Sequence, residues 1–222
     1  MPIQLVTNDA PGVLPVDIAF ALQHMRAPDD DTALVQLYLQ AAVNLIEDYT
    51  GRALIRKTYC LNLDSWPNYR SFWPTFRSYV PSEIHPLWTN DNLRSIELRR
   101  TPLIAINTVK YYDPATLSLL TMDASNYAAD TVSVPGRIVF VENGYTLPDL
   151  VKRPDAVQIN FDAGYSTKGS GVDASLQVAV LMLATVFYND RSAVTDINAK
   201  EMPLHLRHIL RAMRVESMMQ EK

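Results

Sequence analysis

The sequence has little cysteine and no long apolar run. Its only cysteine, Cys60, has no second thiol in the chain with which to form a disulfide, and nothing suggests an oxidising compartment. The longest apolar-rich stretch, residues 178–188, is interrupted by Thr185 and is too short to span a bilayer. The amino terminus lacks the basic start and continuous apolar stretch of a signal peptide. These absences predict a protein made in the cytoplasm without a membrane segment.

Positive charge is also not in excess. The chain has 20 Lys and Arg against 24 Asp and Glu, a formal net charge of -4. A protein that holds nucleic acid by neutralising phosphates needs a concentrated basic surface, so tight DNA binding is not expected. The 222 residues, 48% hydrophobic and 20% charged, are typical of a soluble globular chain that needs neither metal nor disulfide to fold.

The first 51 residues predict a helical hairpin. Pro15 can open a first helix, which Ala27-Pro28 ends. The carboxylates of Asp29-Asp30-Asp31 can cap a second helix, whose apolar residues recur at helical spacing until Gly51.

Residues 52–165 predict a β-rich region. Short segments rich in β-formers alternate with turn signals such as Asp113-Pro114 and Asn143-Gly144, as in a small antiparallel β-domain. Within it, residues 66–92 predict a long aromatic loop. Aromatic rings are enriched at protein interfaces, and the alternative is that these rings pack on their own β-domain. The candidates for a protein interface are Trp66, Trp73, Phe76 and Trp88.

Residues 172–222 predict two further helices that pack with the amino-terminal hairpin. The third helix is apolar on so many sides that it is expected at the centre of the bundle. The fourth has an apolar stripe beside a basic one, a combination suited to a groove with an acidic rim on a partner. The docking candidates are Leu206, Arg207, Ile209, Leu210, Arg211, Met213 and Arg214. The predicted fold class is α+β: a bundle of about four helices with an inserted small antiparallel β-domain.

No motif makes a positive case for catalysis. His205 and His208, with Glu201 one turn earlier, lack the spacing of a zinc protease and a second ligand cluster, so solvated or interfacial histidines are the favoured interpretation. Residues 164–171 do not have the order of a phosphate-binding loop, and Cys60 lies in an apolar strand. We therefore predict no catalytic, cofactor or metal site.

Four stretches, taken together, resemble the head-tail connector family of tailed phages and prophages, also called adaptor or head-completion proteins. They are Leu14-Pro-Val-Asp17; residues 30–54, ending in Tyr49-Thr-Gly-Arg-Ala-Leu54; residues 101–113, beginning with Thr101-Pro-Leu; and Phe161-Asp-Ala-Gly-Tyr165 followed by the apolar helix that ends in Phe187-Tyr-Asn-Asp-Arg191. The region 66–92 is longer and more aromatic than the family's usual link between strands. The family's tail after the third helix is matched only in outline, at Met202-Pro203 and the arginines that follow.

The resemblance implies a structural virion protein of the phage neck. Such a protein joins a ring, typically of twelve copies, beneath the portal protein and gives the docking surface for the next neck or tail component. It implies assembly in the bacterial host cytoplasm, no catalysis and no cofactor. The alternatives are a phage-assembly enzyme, such as a hydrolase or nuclease, and an unrelated protein-binding module.

An acidic wall would let DNA slide through such a ring, because each phosphate neutralised by Lys or Arg adds affinity. Arg26 is the only Lys or Arg among the first 51 residues, which also contain seven acidic residues. Asp29, Asp30 and Asp31 are therefore the candidates for lining the channel, and the portal is the predicted partner of the fourth helix. The aromatic candidates Trp66, Trp73, Phe76 and Trp88 are then expected at a ring or tail interface.

Overall fold

The structure is a computed structural model that describes residues 3–8, 12–66, 95–141, 146–189 and 204–215. These residues fall into two compact units. The β unit is formed by described residues within 1–6, 58–98 and 103–162, and the helical unit by those within 7–57, 99–102 and 163–222. The described residues form four α-helices and two antiparallel sheets, so the fold class is α+β. No helix in the described ranges has the length and apolar character needed to cross a membrane.

The helical unit contains the four helices, which are α1 (Ile18–Met25), α2 (Thr32–Thr50), α3 (Ala174–Asn189) and α4 (Leu204–Met213). The first begins three residues after Pro15, because the Asp17 carboxylate accepts a hydrogen bond from the Ala19 N–H at 3.0 Å and so caps α1. The second ends at Gly51, whose φ of 72° is the left-handed conformation that glycine adopts without a steric penalty.

The core of the helical unit draws on all four helices. α3 packs against each of the other three, in agreement with its expected central place. Fully buried residues include Val35, Leu39 and Ile46 from α2, Leu176 and Val180 from α3, and Leu206 and Leu210 from α4.

Eight strands form the two sheets. They are β1 (Ile3–Asn8), β2 (Lys57–Leu63), β3 (Ser95–Leu98), β4 (Leu103–Tyr112), β5 (Leu119–Thr121), β6 (Tyr127–Asp130), β7 (Gly136–Phe140) and β8 (Val157–Ala163). The five-stranded sheet has the order β1-β2-β8-β4-β5, and the three-stranded sheet has the order β3-β7-β6. β1 adds a strand that the sequence analysis did not anticipate within the first 51 residues.

The register of the smaller sheet places Gly136 opposite Leu98. A Cβ atom at Gly136 would lie 2.5 Å from the Leu103 Cβ, so a larger side chain cannot enter without displacing β4. The β unit buries Ile138, Phe140 and Phe161, and the Phe161 ring stacks on Tyr59 with centroids 5.7 Å apart.

Candidate assembly surfaces

The apolar stripe of α4 is not a free surface. Leu206 and Leu210 are fully buried in the core of the helical unit, and Ile209 and Met213 are half-buried against it. The expectation that these four residues form an exposed docking stripe is therefore corrected. These four side chains pack against the helical unit itself, because removing apolar surface from water stabilises the fold.

Polar contacts also anchor the carboxyl end of α4. The Arg52 guanidinium donates from Nε to the Met213 carbonyl oxygen at 2.7 Å and from Nη1 to the Tyr165 hydroxyl at 2.8 Å. The Val215 N–H donates to the Thr50 carbonyl oxygen at 2.9 Å. A cation at the carbonyl end of a helix also offsets the negative end of its dipole. These contacts tie α4 to the end of α2.

The basic stripe of α4 is on the surface. Arg207, Arg211 and Arg214 are exposed, together with His208. The Arg214 guanidinium lies 5.8 Å from the centre of the Tyr49 ring, within cation–π range. Of the seven docking candidates, the three arginines are those that are exposed.

The three aspartates that precede α2 differ from one another. They form a single 3₁₀ turn, Asp29–Asp31, in which Asp29 and Asp30 are exposed. The Asp31 carboxylate does not cap α2, contrary to the expectation, and instead accepts a hydrogen bond from the Tyr188 hydroxyl at 2.6 Å. The start of α2 is organised by the backbone of the 3₁₀ turn, whose Asp29 carbonyl accepts from the Thr32 hydroxyl. Asp29 and Asp30 thus give this turn an exposed acidic surface.

Of the four aromatic candidates, only Trp66 lies within the described residues. Its indole N–H donates to the Pro148 carbonyl oxygen at 2.8 Å, and its ring packs edge-on against Phe140 with centroids 5.3 Å apart. Trp66 is half-buried and packs on its own β unit, which is the alternative that the sequence left open. Trp73, Phe76 and Trp88 lie outside the described residues, and their interface role stays a prediction.

The pair of His205 and His208, for which the sequence analysis favoured solvated or interfacial side chains, is described only in part. His208 is exposed, and no group of three His, Cys, Asp or Glu residues in this part of the chain could hold a metal ion. The side chain of His205 and all of Glu201 lie outside the described part.

A buried ion pair escaped the sequence analysis. Glu47 is 6% exposed, and its carboxylate accepts from the Leu54 N–H at 2.8 Å and from the Lys57 ammonium at 2.5 Å. Beside it, Arg100 donates to the Glu47 carbonyl oxygen and to the Asp48 carboxylate. These contacts fix the chain that leaves α2. The sequence does not predict that Glu47 pairs with Lys57, because the distance between them depends on how the chain turns between α2 and β2.

The outward sides of α2 and α3 are exposed in part, although the sequence analysis expected the broad apolar surface of α3 to be covered. The α2 face consists of the exposed residues Ala33, Leu37, Ala41 and Leu45, and the α3 face of the exposed residues Ala174 and Val178 with half-buried Met182 and Thr185. A signal was present in the sequence: α3 contains no charged residue, and the only charged residues of α2 are Glu47 and Asp48. A solvated helix usually carries charged residues on its outer face.

The hairpin between β6 and β7 presents two exposed valines on a constrained turn. Val132 is 90% exposed and Val134 is 61% exposed. Asp130 holds the turn by accepting from the Ser133 hydroxyl at 2.7 Å, the Ser133 N–H and the Arg137 Nε. These hydrogen bonds, with Ser133 the largest contributor, lower the pKa of Asp130 from 3.8 to about 2.

Comparison with solved structures finds the same fold along nearly the whole chain. One match is a chain in the neck of an empty GTA particle computed with C6 symmetry, with 22% identity, a TM-score of 0.68, and coverage of 98% of this chain and 97% of that one. Another lies in the virion of a native gene transfer agent (GTA) particle, with 20% identity, a TM-score of 0.69 and the same coverage. A third lies in the neck of a native GTA particle computed with C12 symmetry, with 22% identity, a TM-score of 0.66 and the same coverage. No protein-family model matches the chain, and no curated protein matches it.

Proposed function

We propose that this protein is a structural component of the neck of a phage-like particle, a head-tail connector that forms a ring beneath the portal protein. The observation that carries the proposal is the fold match over 98% of the chain to proteins of gene transfer agent necks and virions. Because the matches cover nearly all of both chains, they are not limited to one common structural motif. The role requires no catalysis and no cofactor.

Ring formation is supported by the symmetry of the matched particles, whose necks were computed with C6 and C12 symmetry. Twelve copies per ring is the number that we propose. In a cyclic ring each copy uses one face to meet a different face of its neighbour. The chain therefore needs two complementary surfaces for its neighbours and further surfaces for the portal and for the next neck or tail protein.

Portal docking is assigned to the exposed arginines of α4. Arg207 and Arg211 lie on α4 and Arg214 directly follows it, while the apolar side of the helix is held in the core. Basic side chains on a helix that is fixed in the core suit an acidic portal surface. Their attraction would speed the association of the two proteins and fix their relative orientation.

Channel lining is assigned to Asp29 and Asp30. Both carboxylates are exposed, whereas Asp31 is engaged by Tyr188. A negative wall keeps the duplex mobile, because it offers the phosphates no counter-charge. DNA passes such a ring without tight binding.

The test is reconstitution with the portal protein of the same particle. The full chain is mixed with purified portal rings and examined by negative-stain microscopy and native mass spectrometry. A ring of about twelve copies on one end of the portal supports the proposal. A protein that stays monomeric and leaves the portal bare contradicts it.

The arginine assignment has its own test. Replacing Arg207, Arg211 and Arg214 with Glu should weaken portal binding by at least tenfold, because each contact becomes repulsive. Lys152→Glu and Lys168→Glu, which reverse exposed basic residues elsewhere and shift the net charge in the same direction, serve as the control. Equal loss of binding in the control would show a general charge effect rather than an α4 site.

A further inference from the structure

The strongest unexplained feature of the helical unit is its pair of uncharged outer helix faces. α2 and α3 form the most extensive helix–helix contact in this unit. They meet through their buried sides, which include Leu39 and Ile46 on α2 and Leu176 and Val180 on α3. Because a helix that is buried on one side presents its other side outward, the outer faces of α2 and α3 lie on opposite sides of the pair.

The α2 face is apolar over three turns. Ala33, Leu37, Ala41 and Leu45 follow one another at intervals of four residues, which aligns them along the helix. Leu37 is 64% exposed and Leu45 is 41% exposed. Small and large side chains alternate along this row, which leaves depressions at the alanines for a facing helix.

The α3 face is smaller and equally uncharged. Val178 is 41% exposed, and Ala174 lies one turn before it. The Thr185 hydroxyl donates to the Leu181 carbonyl oxygen at 2.7 Å, so this polar group is satisfied within its own helix. On α2, the Gln40 and Asn44 amides are likewise bonded to each other at 3.2 Å. Neither face would bury an unpaired charge in a dry contact.

We infer that the α2 face of one copy packs against the α3 face of the next copy, and that this contact closes the ring. The inference rests on the proposed neck function and adds the surface through which copies join. Both halves of the contact lie on one chain, on opposite sides of one helix pair, as head-to-tail closure requires. Their lengths also agree: the 19 residues of α2 extend about 28 Å and the 16 residues of α3 about 24 Å.

The first experiment places a charge in each half of the contact. Leu37→Lys and Val178→Lys should each weaken ring assembly by at least tenfold, because an ammonium group would have to be buried without a partner. Their melting temperatures should stay close to that of the parent protein, because both positions are exposed in a single copy. Val132→Lys, an exposed valine on the β6–β7 hairpin, is the matched control and should assemble normally.

The second experiment identifies the occupant of the α2 face. Leu37→Cys and Val178→Cys are combined in one chain, assembled on the portal ring and treated with a short bismaleimide cross-linker. The native Cys60 interferes little, because it is 8% exposed and burial raises the pKa of its thiol. The double variant should give a ladder of cross-linked oligomers, whereas each single variant should give only monomers.

The outcomes separate this inference from the proposed function. Rings that form normally with both lysine variants and give no ladder would overturn the inference and leave the neck role standing. Cross-linked dimers from Leu37→Cys alone would show that α2 meets α2, which also overturns it. Cross-links from either position to the portal would assign that face to the portal instead. If the unaltered protein forms no ring on the portal, the proposed function fails and the inference fails with it.

Discussion

At the scale of single residues, Glu47 and Asp48 are adjacent acids in different surroundings. Glu47 is buried with Lys57, while the Asp48 side chain is 75% exposed beside Arg100. A buried ion pair that loses one partner leaves an uncompensated charge, whereas an exposed pair is weakened by solvent. The two positions therefore form a matched pair for measuring the effect of burial.

Glu47→Gln is expected to lower the free energy of unfolding by about 3 kcal/mol, because it leaves the Lys57 ammonium buried without a counter-charge. Asp48→Asn should lower it by at most about 1 kcal/mol. Urea unfolding monitored by circular dichroism gives both values. Equal losses for the two variants would show that burial does not set the value of the Glu47 contact.

Asp130 predicts a pH dependence of stability. Its pKa falls from 3.8 to about 2 on folding, so the folded state favours the ionised carboxylate. The carboxylate therefore stabilises the fold above about pH 4, and this contribution is lost as the pH falls toward 2. Asp130→Asn should destabilise the protein at pH 7 and flatten the dependence of stability on pH between 4 and 2.

Urea unfolding at a series of pH values measures that slope. Ser133→Ala provides a second test, because it removes the hydroxyl that donates to Asp130 and should raise the pKa of Asp130 toward its ordinary value. A slope that is unchanged in both variants would show that the turn does not depend on the Asp130 carboxylate.

At the scale of elements, α4 has a structural side and an exposed side. Leu210→Ala should cost about 2–5 kcal/mol of stability, because the side chain is fully buried and its loss leaves a cavity. Arg211→Ala, one residue later and exposed, should change stability by no more than about 0.5 kcal/mol. Thermal unfolding of the two variants gives the comparison. A Leu210→Ala protein as stable as the parent would mean that α4 is dispensable for the helical unit.

Because α4 is partly buried, deleting it would test folding as well as partner binding. Removing the chain from Pro203 onward takes away the fully buried Leu206 and Leu210 together with the three arginines. A truncated protein that fails to join heads would thus have lost core packing as well as a docking surface. Substitutions on the exposed side of α4 separate the two effects.

At the scale of the whole molecule, the proposed neck function and the acidic turn before α2 together predict how DNA would behave in a particle that contains this protein. The double variant Asp29→Lys and Asp30→Lys should retain DNA. The retention should weaken as the salt concentration rises, because the new lysines bind phosphates by releasing their counterions and salt opposes that release. Particles carrying the double variant should eject their DNA more slowly. Asn at both positions removes charge without adding cations and should cause less retention than Lys. Ejection at several salt concentrations provides the measurement, and equal ejection by the Lys variant and the parent would exclude these residues from the channel wall.

The helices and most strands follow from local sequence. Apolar residues at helical spacing predicted all four helices, and the β-formers between Asp113-Pro114 and the other turn signals predicted a β-rich region. These patterns succeed because a helix or strand must bury one side, and the period of its apolar residues records that side. The lack of charge on α2 and α3 was equally present in the sequence, but its meaning depended on knowing which side was exposed.

Tertiary structure alone decided which apolar stripes remain free. The α4 stripe and the outer face of α2 are both helical rows of apolar side chains, yet Leu210 is fully buried and Leu37 is 64% exposed. Periodicity cannot distinguish them, because it describes a helix without its neighbours. Likewise, Asp31 directly precedes α2 as a capping residue would, yet its carboxylate accepts a hydrogen bond from Tyr188, 157 positions later. The sequence by itself determined the four helices and most strands, whereas long-range packing determined which apolar side of a helix is buried and which surfaces are left exposed.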